Sequence, residues 1–138
     1  PYAGAFKSGW NLGQEFVNMY LGHGGEFFKS GTAQPNVNNE KGVAALNVIK
    51  SLTELSNPDF LTQDTNAVKE EWESGNVALM HVWNSGASSL LDDEGDQAIR
   101  ADTRLVYLVS FQKESIAYLN ILTSPIKTTN FFPLVMPV

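Results

Sequence analysis

The residues best placed to do chemistry lie where an apolar run, Asn76–Val82, gives way to an indole, an amide and a hydroxyl at Trp83, Asn84 and Ser85. An indole offers a flat apolar face to the C–H surface of a sugar ring, and an adjacent amide both donates to and accepts from hydroxyls. This is the chemistry of carbohydrate recognition; the competing reading makes Trp83 a core residue at a strand end. His81 lies two residues earlier, on the same strand face, and is able to donate to a hydroxyl, but a buried, satisfied histidine is the expectation. The acids invite a hydrolytic reading, since glycoside hydrolysis needs two carboxylates across one bond. Glu70, Glu71 and Glu73 share a helix face, however, and Asp92–Asp96 form a run, so both groups read as solvated surface and no catalysis is expected.

The remaining chemistries fall to composition. With no Cys there is no thiolate nucleophile, disulfide or Cys-type zinc site, and His23 and His81 are too few for a multi-His metal centre. Gly22, Gly24 and Gly25 come after a helix, whereas a dinucleotide fingerprint precedes one, so no cofactor is implied. Fifteen acids against nine bases, with the Lys scattered, disfavour a nucleic-acid partner. No apolar run approaches the roughly 18 residues of a membrane span. A length of 138 residues suits one domain, and Pro1 reads as a cut or processed start.

Periodicity gives the elements that must position these residues. Leu12, Phe16, Met19 and Tyr20 mark one face of a helix over about Asn11–Leu21, stopped by the Gly-rich turn, with His23 solvated there. Lys29–Asn39 reads as a loop. Asn38 or Asn39 then caps a second helix with an apolar stripe of Val43, Leu46, Ile49, Leu52 and Leu55, closed by Pro58. Asp64 or Thr65 caps a third helix that buries Val68 and Trp72 and ends at Gly75 in the left-handed conformation. Asn76–Trp83 is apolar on both faces, which predicts an interior strand covered on both sides and so an α/β fold, with helices packed on a small sheet. Ser85 is expected to cap a short helix carrying Leu90 and Leu91, closed by the acidic run.

The chain changes character near Asp102–Arg104. Residues 1–103 hold 14 acids and 6 bases, a net −8, whereas residues 104–138 hold one acid and three bases, a net +2, and no Gly. Arg104–Phe111 reads as a strand, and Glu114–Leu122 fits a helix or a strand equally well. Pro125, Pro133 and Pro137 break the end of the chain, leaving Phe131, Phe132, Leu134 and Val135 without polar cover, a pairing hazard if exposed.

An aromatic, two intervening residues, Gly-x-Val-Ala-Leu-Met and then a Trp is the arrangement of Trp72, Gly75-Asn76-Val77-Ala78-Leu79-Met80 and Trp83. This set resembles the C-terminal lobe of family 1 extracellular solute-binding proteins, the sugar-binding components of ABC importers. The resemblance covers roughly residues 1–100 and includes the order of an aromatic-rich start, a helix ending in a Gly-rich turn, a loop before Asn38 and a long helix with Ala44, Ala45 and Leu46. It implies a ligand held in a cleft between two α/β lobes that close by a hinge. It makes Trp83 the stacking ring, brings Tyr2 and Trp10 into the cleft as further aromatic contacts, and places Gly9, Asn11 and Asn84 beside them. His81 completes the expected ligand-binding set, and Trp72 is implied to be core.

The expectation is therefore a partial solute-binding lobe over residues 1–103 and an atypical apolar tail over 104–138 that is not the family's own continuation. The resemblance implies a mono- or oligosaccharide ligand, ABC transporter membrane subunits as partners, no catalysis, and a periplasmic or extracellular location, lipid-anchored or free. With half a cleft, sugar binding by this chain is expected to be weak or absent. Two rivals remain: an interaction or self-associating module using residues 104–138, and a small carbohydrate-active enzyme.

Overall fold

A computed structural model describes residues 1–91, 97–107 and 120–123. The first strand, β1 (Tyr2–Ala3), is followed by helices α1 (Trp10–Gly22), α2 (Glu40–Thr53) and α3 (Thr65–Glu73), with a 3-10 turn at Phe60–Thr62 between the last two. The chain then enters β2 (Leu79–Val82), α4 (Asn84–Leu90), α5 (Gln97–Asp102), β3 (Arg104–Tyr107) and β4 (Asn120–Thr123). The sheet order is β1-β2-β4-β3. β1 runs parallel to β2, pairing Tyr2 with Leu79, as a long helical crossover requires. β4 lies antiparallel to both β2 and β3, with Ile121 opposite both His81 and Val106. The fold is α/β, and residues on both sides of position 103 contribute strands to one sheet.

Helix starts follow local chemistry. The Asn39 side chain accepts from the Gly42 N–H at 3.0 Å, and the Asp64 side chain accepts from Asn66 and Ala67. Gly75 leaves α3 at φ 74°, a conformation that a Cβ resists. The short helix after β2 departs from expectation: Trp83, not Ser85, occupies the N-cap, and its carbonyl takes the Ala87 N–H at 2.8 Å. α2 stops at Thr53, ahead of Pro58.

Strand alternation divides the core. Ala3, Met80 and Val82 pack with Val68, Trp72, Val77, Ala87 and Leu90, the side of α3 and α4. Tyr2 and Leu79 face the other way, with Phe6, Met19, Tyr20, Ala45 and Ile49 of the α1–α2 side. Trp72 is core as expected, and β2 is interior and covered on both faces.

The expected stripe of α2 is corrected. Val43, Leu46 and Leu55 are 55%, 56% and 51% exposed, and the buried face is Gly42, Ala45 and Ile49 with Val48 and Leu52 at its margin. The reason lies in α1. The Tyr20 ring is fully buried and its hydroxyl bonds the Glu26 and Asn36 carbonyls at 2.9 and 2.6 Å while accepting the Asn39 amide at 3.0 Å. Small residues on α2 let that aromatic hub approach, and Gly42 sits against the Val37 carbonyl. His23 is likewise half-buried rather than solvated, and burial lowers its pKa.

The predicted strand from Arg104 is present as far as Tyr107, and the segment ending at Leu122 finishes as a strand. The acidic run 92–96, positions 108–119 and the proline-broken end 124–138 lie outside the described residues.

Candidate functional site

A cavity of about 420 Å³ opens at the C-terminal end of β2, where α1, α3 and α4 converge. That volume lies within the roughly 300–1,000 Å³ range of small-molecule sites. Helix α1 supplies Asn11, Gln14, Glu15 and Asn18, which recur every three or four residues along one face. The start of α3 supplies Thr65, Asn66 and Lys69, held in place because Thr65 Oγ1 donates to Asn11 Oδ1 at 3.1 Å. Strand β2 brings His81 and Val82, Trp83 comes next at the rim, and α4 closes the far wall with Gly86 and Ser89.

Polar groups in this wall are arranged rather than scattered. Among the described residues, the two charged ones in the lining are both partnered: Glu15 with His81, and Lys69 with Glu73 at 3.7 Å. The Asn18 amide nitrogen is buried and has no hydrogen-bond partner among the described residues. Behind the wall, His81 Nδ1 lies 2.7 Å from the Tyr2 hydroxyl and 2.9 Å from Glu15 Oε2, with all three residues buried. Burial, and then the Glu15 charge, push the Tyr2 hydroxyl well above its ordinary pKa, so it stays neutral. At the mouth of α3, the Lys7 ammonium 3.0 Å away and the backbone N–H groups of the cap hold the Asp64 carboxyl below its ordinary value.

Of the seven residues expected at a ligand site, the structure brings Asn11, His81 and Trp83 together in the cavity wall. Trp83 is 39% exposed, so its ring is neither core nor free. Tyr2, expected to stack on a ligand, is instead buried in β1 behind His81. Trp10 begins α1 and is 73% exposed, outside the cavity lining. Gly9 forms the N-cap of α1 at φ 99° and is not in the cavity lining, and Asn84 opens α4. His81 is the buried, hydrogen-bonded histidine that was expected, and it also reaches the cavity wall.

The residues that sequence reasoning passed over are Gln14, Glu15 and Asn18 on α1, Thr65, Asn66 and Lys69 on α3, and Ser89. The signal for the first group was the polar stripe opposite Leu12, Phe16 and Met19, which has the pattern of a solvent face.

Fold and site together describe an α/β ligand-binding domain: a largely apolar hollow with amide and hydroxyl groups along one wall and an indole at its rim, at the end of a central strand. A family model described as bacterial extracellular solute-binding protein matches residues 1–108. The chain belongs to that family and has an extracellular solute-binding role. Comparisons with curated proteins and with solved structures return no match. No helix among the described residues is long and apolar enough to cross a membrane.

Proposed function

We propose that the solute is a saccharide or a similar uncharged polyol, held in the cavity at the end of β2 and delivered to the membrane subunits of an ABC importer. The observation that carries this reading is the pairing of a half-exposed indole, Trp83, with amide and hydroxyl side chains from α1, α3 and α4, in a described lining whose two charged residues each already have a side-chain partner. An unpaired charge would select an ion, whereas amides donate to and accept from the same hydroxyl. The Asn18 amide supplies a donor that the described residues leave unused. Trp83 stacks on the ring face. Trp10, exposed one position before Asn11, offers a second aromatic surface from outside the hollow. A facing lobe closes over the ligand by a hinge. Of the described residues lining the cavity, Glu15 is the one carboxylate, and it is committed to His81.

The test is titration calorimetry of the protein with maltose, trehalose and related saccharides up to millimolar concentration, beside Trp83→Ala. Loss of a stacking ring worth about 1–1.5 kcal/mol weakens binding about tenfold. Because the cavity has walls of its own on α1, α3, β2 and α4, this chain is expected to bind weakly rather than not at all. Absence of heat from every saccharide, or a Trp83→Ala protein that binds as the parent does, refutes the reading.

A further inference from the structure

The Glu15–His81–Tyr2 cluster is more than a satisfied core. One nitrogen, His81 Nδ1, faces two oxygens: the Tyr2 hydroxyl at 2.7 Å and Glu15 Oε2 at 2.9 Å. Nδ1 has one in-plane valence, which either carries a proton or offers a lone pair. A carboxylate only accepts, so with Glu15 ionised the Nδ1 position must hold the proton. The Tyr2 hydroxyl then accepts a share of the same N–H. The opposite assignment, with Nδ1 unprotonated, would leave two donors competing for one lone pair and would require a protonated Glu15. The remaining ring nitrogen, Nε2, is the one left for the cavity that His81 lines.

We infer that Glu15 is a positioning residue: it fixes the imidazole proton on Nδ1, so that neutral His81 presents Nε2 to the cavity as a hydrogen-bond acceptor. This rests on the saccharide reading for its ligand and adds a selectivity to it. At this point of the wall the ligand must offer a hydroxyl hydrogen, and a deoxy or O-methyl group there leaves a buried acceptor unpaired. Protonation of the ring converts the acceptor to a donor and reverses the preference. The charged and titratable groups around the ring are Tyr2 from β1, Glu15 from α1 and, across the cavity on α3, Lys69 with its partner Glu73.

The tautomer can be read without ligand by nitrogen–proton correlation spectra of the imidazoles, followed upward in pH until the rings are neutral. The chain has two histidines, and His23→Gln assigns them. The expected result is His81 with a proton-bearing Nδ1 and an unprotonated Nε2, in at least about tenfold excess over the other tautomer, as a hydrogen bond to a charged acceptor implies. Glu15→Gln, similar in shape but able to offer an N–H, is expected to lower that excess about tenfold or more. An Nε2-protonated ring in the parent, or an unchanged tautomer in Glu15→Gln, overturns the proposal; a purely structural Glu15 would change stability and leave the tautomer alone. Should Glu15→Gln not fold, Tyr2→Phe decides instead: the carboxylate remains, so the Nδ1 proton must persist, and its loss overturns the assignment. Adding maltose to the parent is then expected to shift Nε2 while Nδ1 stays in place. If maltose and trehalose move neither nitrogen, the saccharide reading fails while the ligand-free tautomer still judges the role of Glu15.

Discussion

Gly42 tests the packing that sets α1, and with it one wall of the cavity. In an unconstrained helix, Ala in place of Gly gains about 1 kcal/mol. At Gly42 a Cβ would run into the Val37 carbonyl oxygen, a backbone atom that cannot swing aside as a side-chain tip can. That carbonyl already accepts the Asn39 N–H at 3.1 Å, and its neighbours Asn36 and Asn39 both bond the Tyr20 hydroxyl. To relieve the clash the turn must retreat, at about 1–3 kcal/mol for overpacking and about 1 kcal/mol for each hydrogen bond lost. Set against the gain in propensity, the net with one hydrogen bond lost is a loss of about 1–3 kcal/mol. Gly13 is the internal control: it is helical and exposed, and a Cβ there meets nothing within 4 Å. Gly13→Ala is expected to stabilise by about 0.5–1 kcal/mol. Urea unfolding followed by circular dichroism reads both, the midpoint falling by about 1 M for Gly42→Ala and rising slightly for Gly13→Ala at unchanged slope. A Gly42→Ala protein as stable as the parent, or more so, refutes the close approach of α2 to the Val37 turn.

Asn39→Ala removes the oxygen that caps α2 and the amide that bonds Tyr20, and is expected to cost about 1–2 kcal/mol; an unchanged urea midpoint would show that neither bond matters. Asp64 makes stability depend on acid: its folded pKa is depressed, first by the Lys7 hydrogen bond, so its contribution is complete above the unfolded value and is lost as pH falls through the folded one. Asp64→Asn keeps a capping oxygen but loses the ion pair, so its urea midpoint should fall less than the parent's between about pH 5 and 2; parallel curves would refute the pairing.

Features that one stretch of chain decides were legible without a structure. The caps at Asn39 and Asp64 and the left-handed Gly75 depend on a few neighbouring residues, and the burial of Val68 with Trp72 follows from their spacing on α3. Features decided by a partner were not. The buried face of α2 is chosen by the Tyr20 ring on another helix, which accepts Gly42 and Ala45 and turns away the bulkier Val43 and Leu46. β1 is two residues long, too short to show alternation, and β4 is recognised as a strand by pairing with β2.

The site divides along the same line. Trp83 could be placed because a strand end announces itself locally, and His81 came with it by alternation. The stripe Asn11, Gln14, Glu15 and Asn18 is indistinguishable in sequence from a wet helix face. It becomes a cavity wall because α3 begins beside it, with Thr65 tied to Asn11 and Asp64 to Lys7. Glu15 makes the distinction concrete. On a solvated face it would be one more negative charge, but here, at 6% exposure against a histidine 66 positions away in the chain, its charge is set where a single imidazole proton must answer it. That proton decides what His81 offers the cavity, so a residue with no recognisable motif determines how one with a recognisable position behaves.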